Sequence, residues 1–154
     1  MDLILWRHAD AGNPLDDAVL DLQRPLSPKG ARHAARIAEW LQRALPERTR
    51  VLVSPALRCQ QTAKALGRKF RTVEAIAPDA GPAAVLAAAR WPESSEPVLV
   101  VGHQPTLGLV ASLLLAGTPQ PWSVKKGAVW WLRSRDREGG APVVLHAVLG
   151  PDGL

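Results

Sequence analysis

The feature that most constrains the fold is Leu3-Ile4-Leu5-Trp6, four apolar residues in unbroken succession near the N-terminus. A half-exposed strand would alternate apolar and polar side chains. An unbroken run reads instead as a strand of a parallel sheet, covered on both faces. The run ends in Arg7, His8, Ala9 and Asp10. Ligands of open α/β sheets bind beyond the carboxyl ends of the strands, so Arg7 and His8 emerge where a ligand would sit. A neutral imidazole can attack phosphorus, and a guanidinium can fork two N–H bonds onto phosphoryl oxygens. The dipeptide alone reads first as a solvated loop pair, and the other motifs have to change that.

Two further apolar runs follow the same plan. Arg50-Val51-Leu52-Val53 leads into Ser54-Pro55, where Ser54 is expected to cap a helix that Pro55 opens. Cys59, Ala63, Leu66 and Phe70 mark one stripe of that helix, with Arg58 off the stripe in its first turn. A helix N-terminus attracts anions, although a surface arginine is the commoner case. Pro97 to Gly102 is the clearest buried strand, and His103 follows it directly. A histidine at a strand–helix junction also suits a purely structural role. Pro105 then opens a helix striped by Leu107, Val110, Ala111 and Leu114.

Between these runs, residues 11–29 read as a long polar loop. In it, Asp21 and Arg24 could reach the site or pair with each other. A helix is expected from Gly30 to Leu45, ended by Pro46, with His33 near the surface and Trp40 at the core rim. Thr72 to Ala77 is expected as a strand, and Pro82 to Arg90 as a helix. Near the C-terminus, Ala128 to Leu132 and Val143 to Leu149 read as strands of an antiparallel hairpin joined through Arg133 to Gly140. Trp130 and Trp131 fall on opposite faces, and His146 is packed or edge-facing.

A chain of 154 residues, 47% hydrophobic, suits one domain spanning residues 1–154. No apolar run approaches the roughly 20 residues of a membrane span, and Met1-Asp2-Leu3 does not resemble a signal peptide. With Cys59 the only cysteine, no intramolecular disulfide can form, and a cytoplasmic location is expected. The net charge of +5 favours anionic partners. Dispersed cations, one Phe and no Tyr argue against a nucleic-acid binder. Other phosphate chemistries fit poorly. A cysteine phosphatase needs an arginine six residues after its thiolate, where this chain has Ala65. There is no Walker A loop, and the four histidines lack metal-binding spacing. Two imidazoles and two guanidiniums at one sheet edge would make a nucleophile with an anion clamp.

The segments Arg7-His8-Ala9-Asp10, Arg24-Pro25-Leu26-Ser27-x-x-Gly30, Ser54-Pro55-Ala56-Leu57-Arg58-x-x-Gln61-Thr62 and Gly102-His103-x-Pro105 together resemble the histidine phosphatase superfamily. This is the phosphoglycerate mutase-like group. The short chain and Arg24-Pro25-Leu26 look most like its SixA-type phosphohistidine phosphatases. The resemblance implies a three-layer α/β/α sandwich with a mostly parallel central sheet. It implies a phosphatase without metal or other cofactor, in which His8 is the nucleophile. Arg7, Arg58 and His103 match the phosphate pocket, and Asp21 and Arg24 match positions at its mouth. Larger members carry an acidic proton donor on an insertion or just after the second histidine, where this chain has Gln104. Asp10, Asp21 and Asp79 remain candidates.

The expected partner is a phosphorylated protein bearing phosphohistidine, with Arg24, Lys125 and Lys126 steering an acidic surface. A small phosphate ester and a non-catalytic phosphate-binding module are the alternatives. A monomer is expected, without nucleic-acid or membrane partners.

Overall fold

The computed structural model describes residues 1–135 and 143–154. Six strands form one sheet: β1 (Asp2–Arg7), β2 (Arg50–Val53), β3 (Arg71–Thr72), β4 (Val98–Gly102), β5 (Val129–Ser134) and β6 (Val143–Leu149). Their order is β3-β2-β4-β1-β5-β6. The first four run parallel, whereas β5 pairs antiparallel with both β1 and β6. Most of the expected hairpin connection, residues 136–142, lies outside the described residues, while Arg133 and Ser134 belong to β5.

The described residues form five α-helices, α1 (Ala18–Leu22), α2 (Pro28–Ala44), α3 (Leu57–Lys64), α4 (Pro82–Ala89) and α5 (Thr106–Ala116), of which α2 to α5 cover the sheet. Successive residues of a strand face opposite ways, so β1 serves two cores. Ile4 and Trp6 pack with Ile37 and Leu41 of α2 and Ala63 of α3. Leu3 and Leu5 pack with Val85 of α4 and with Leu107 and Val110 of α5. Both faces of the central strands are therefore dry, which explains their unbroken apolar runs. The result is the three-layer α/β/α sandwich. Trp131 lies in the first core and Trp130 against the second, on opposite faces as expected.

Several local expectations change. The segment 11–29 is not all loop. Asp17 accepts N–H bonds from Val19 and Leu20 and starts α1. Helix α2 begins at Pro28, two residues early, because Ser27 Oγ accepts the Gly30 N–H at 3.0 Å. The expected strand Thr72–Ala77 shrinks to the two residues of β3 followed by a 3-10 turn, Glu74–Ile76. Ser54 does not cap α3; Ala56 holds that position, and the helix ends at Lys64, short of Phe70. No helix among the described residues is long and apolar enough to cross a membrane.

Candidate active site

Strands β2, β4 and β1 are neighbours and parallel, so their carboxyl ends open onto one place. The chain leaves β1 at Arg7-His8, β4 at Gly102-His103, and β2 at Ser54, four residues before Arg58. These groups line a cleft of about 530 Å³, with Arg7, His8, Arg58 and His103 among its walls. Arg24, Asp21 and Asp79 line the same cleft. The six residues first expected at the site, Arg7, His8, Asp21, Arg24, Arg58 and His103, are thus brought together.

Each side chain is held by identifiable partners. His8 is buried, and its Nδ1 lies 2.8 Å from the Ala9 carbonyl oxygen. A carbonyl can only accept, so Nδ1 carries the proton and Nε2 keeps its lone pair. Nε2 makes no hydrogen bond and is not sealed from the cleft. The His103 ring centroid is 5.4 Å from that of His8. Arg7 Nη1 donates to the Val124 carbonyl at 2.9 Å. Arg58 Nη1 donates to the Asp21 carbonyl at 2.9 Å, and its Nη2 is 3.3 Å from Asp21 Oδ2. Arg24 Nε reaches Asp21 Oδ1 at 2.9 Å. Asp21 therefore ties both arginines to the loop that carries α1.

The site is positive, and both of its imidazoles are buried. Burial, then the charges of Arg58, Arg7 and Arg24, outweigh the Ala9 bond and depress the His8 pKa to about 3. Burial, then His8, Arg58 and Arg7, depress that of His103 to about 3. Both imidazoles are neutral at physiological pH. Burial also lowers the pKa of Arg7, with Arg58 adding repulsion, and that of Arg58, with Arg24 adding repulsion. The Nε atoms of Arg7 and Arg58 are buried without an acceptor. Such unpaired donors beside crowded guanidiniums are costly, and an anion in the cleft offsets that cost.

The three candidate acids stand differently. Asp10 does not line this cleft; Ser27 Oγ donates to its Oδ2, and Lys126 Nζ is 3.2 Å from its Oδ1. Those partners, Ser27 first, outweigh burial and hold its carboxyl below the usual range. Burial works to raise the Asp21 pKa, but the Leu15 N–H, Arg24 and Arg58 outweigh it, and the carboxyl stays ionised. Asp79 lines the cleft and makes no ion pair among the described residues. Among the described residues, no group of three or more His, Cys, Asp or Glu is placed to hold a metal ion.

Ser54 and Cys59 back the site through His103, although Ser54 reads as a helix cap and Cys59 as part of an apolar stripe. Ser54 Oγ is 2.7 Å, and Cys59 Sγ 3.5 Å, from His103 Nε2. Burial pushes the Cys59 thiol up to about 12, against the pull of Arg58 and Ser54, so it is an inert filler. Ser-Pro before a helix matches a capping pattern, and nothing local signals a partner 49 residues away.

A family model described as histidine phosphatase superfamily (branch 1) matches residues 3–81. Phosphohistidine phosphatase SixA of Escherichia coli (strain K12) is 34% identical over 128 residues, covering 77% of this chain and 78% of that protein. A protein histidine phosphatase SixA solved with tungstate aligns with TM-score 0.80 at 27% identity, covering 99% of this chain and 98% of that one. A Nakamurella multipartitia structure described as a candidate phosphohistidine phosphatase SixA aligns with TM-score 0.78 at 28% identity, covering 97% of this chain and 95% of that one. The chain resembles SixA-type proteins along nearly its whole length.

Proposed function

The chain belongs to the histidine phosphatase superfamily and is a hydrolase of that group; from this premise we propose that it dephosphorylates phosphohistidine in proteins through a covalent intermediate on His8. One observation carries the reading. The Ala9 carbonyl holds the His8 proton on Nδ1, which leaves an unprotonated Nε2 at the floor of an arginine-lined cleft.

In the first step, Nε2 of His8 forms a bond to phosphorus as the substrate's P–N bond breaks. Arg7, Arg58 and His103 surround the in-line PO3 group and stabilise the charge on its oxygens. The substrate ring reacts with its other nitrogen protonated, so it leaves as neutral imidazole and needs no further acid. In the second step, water attacks phosphorus, the Nε2–P bond breaks, and inorganic phosphate leaves. No metal takes part in either step. Arg7 and Arg58 supply the positive charge that a cation supplies in two-metal phosphatases.

Two features support a protein substrate. The cleft is bordered by loops and the five-residue α1, and among the described residues no long segment lines it as a cover that would enclose a small molecule. Lys126 adds a cation at the rim, and the SixA relatives are named for phosphohistidine. A second reading, hydrolysis of a small phosphate ester, is favoured by Asp79, an acidic side chain that lines the cleft where a leaving alkoxide would need a proton donor.

Rapid-quench trapping with a radiolabelled phosphohistidine carrier protein tests the proposal. Label is expected on His8 in the native protein and none in His8→Ala. Near-normal turnover by His8→Ala overturns the covalent route. A higher kcat/KM on sugar, nucleotide or phosphoserine esters than on the carrier selects the second reading.

A further inference from the structure

Helix α1 is built the wrong way round for a surface helix. It buries none of its residues. Val19 is 64% exposed, Leu20 54%, Leu15 48% and Leu22 38%, and these are four of the seven large apolar side chains exposed among the described residues. The helix is held down by polar contacts instead. Asp17 caps it, Asp21 Oδ1 accepts the Leu15 N–H and pairs with Arg24, and Arg58 grips both the carbonyl and the carboxylate of Asp21. The tethers that anchor α1 to the catalytic arginine thus hold its apolar side chains outward. Apolar residues concentrated in this way mark an interaction site.

We propose that the exposed face of α1 is the docking platform for the phosphorylated protein substrate; this rests on the protein-phosphohistidine reading. Leu15 and Leu22 line the cleft, whereas Val19 and Leu20 lie outside its lining, so the apolar surface runs from the reaction centre onto the rim. Lys126 also lines the cleft and is shared with a second cavity of about 540 Å³, where Lys29, Lys125 and Lys126 outnumber the carboxylates of Asp10 and Asp152. The matching partner carries its phosphorylated residue between an apolar patch, which covers α1, and carboxylates, which meet the lysines. A lipid surface fits less well. Membrane-lying helices carry cations beside their apolar face, and the α1 segment carries Asp16, Asp17 and Asp21.

The test compares the native protein with the double variant Val19→Ser, Leu20→Ser on two substrates, a histidine-phosphorylated carrier protein and p-nitrophenyl phosphate. Neither residue lines the cleft, so turnover of the small ester should stay within about twofold. On the carrier, kcat/KM should fall about tenfold or more, mainly through KM, as burial of two apolar side chains is lost. An equal loss on both substrates, or no loss on the carrier, overturns the docking role. So does binding of the native protein, and not the variant, to phosphatidylglycerol vesicles without any change on the carrier. If the native protein hydrolyses the small ester but no phosphohistidine protein, the substrate reading itself fails and docking falls with it.

Discussion

Ser54 Oγ lies 2.7 Å from Nε2 of His103, and both residues are buried. The same oxygen accepts the Ala56 N–H at 3.3 Å, so the backbone at the end of β2 fixes the ring at the end of β4. The shortest side-chain contact of the His103 ring, 2.7 Å, thus comes from the residue that follows a neighbouring strand.

Ser54→Ala removes that bond and leaves the buried ring nitrogen with only the weaker Cys59 thiol contact at 3.5 Å. The expected cost is about 1–3 kcal/mol of stability. Turnover should fall roughly tenfold as His103 loses its orientation, with KM little changed. Chemical denaturation and steady-state kinetics on one preparation check both effects. Ser54→Thr, which keeps the hydroxyl, should recover part of the loss if positioning is the cause.

Arg58 does two jobs with one planar group: it faces the cleft and it holds Asp21 by two oxygens. A lysine offers a point charge and cannot span both. Arg58→Lys should therefore lose on the order of 10²–10³ in kcat, the scale for removing a preorganised transition-state donor. Retention of more than a third of native turnover would show that charge alone suffices.

Acid should act on the site in a defined direction. The pKa values of His8 and His103 in the folded protein lie near 3, below the ordinary value of 6.5. Between those values the unfolded chain binds more protons than the folded one, so stability falls as pH drops from about 6.5 toward 3. Asp21 works in the same direction: its lowered pKa gives stability that is lost as its carboxylate is protonated. Histidine NMR signals followed between about pH 7.5 and 5 should show both rings unprotonated throughout. A midpoint near 6.5 for either ring contradicts the buried, arginine-flanked environment.

The parts of this architecture that were legible in the sequence are those written in continuous or periodic apolar residues. The runs of β1, β2 and β4 are unbroken because both faces are covered, and the three candidate groups stand at their ends. α2 was legible from its stripe of Ala34, Ile37, Ala38 and Leu41, all buried. α1 was not, because five residues held by Asp17 and Asp21 leave no apolar period to read. β3 was overextended because an edge strand of two residues rests on pairing with β2 at Leu52 and Val53 and on no pattern of its own. Asp21 and Arg24 could be placed near the mouth, but whether Asp21 would also hold Arg58 depends on how the chain folds back over 37 residues. Ser54 was misread because its local pattern suits a cap while its partner is distant.

Gly30 links a helix cap to the nucleophile's loop. It stands in the first turn of α2, where alanine would ordinarily raise helix stability by about 1 kcal/mol. Here a Cβ would run into the carbonyl of Asp10. That carbonyl already accepts the Ser27 N–H at 2.9 Å, and Ser27 Oγ caps Gly30, so the contact cannot open without breaking the cap. Asp10 is two residues from His8, and any shift of its backbone reaches the Ala9 carbonyl that holds the His8 proton. Gly30→Ala should therefore reverse the propensity rule and cost about 1–3 kcal/mol, the scale of overpacking. Melting should drop by several degrees, and turnover should fall with it while the substrate KM changes less. A variant as stable and as active as the native protein would mean that the loop from Ala9 to Asp10 yields without disturbing His8.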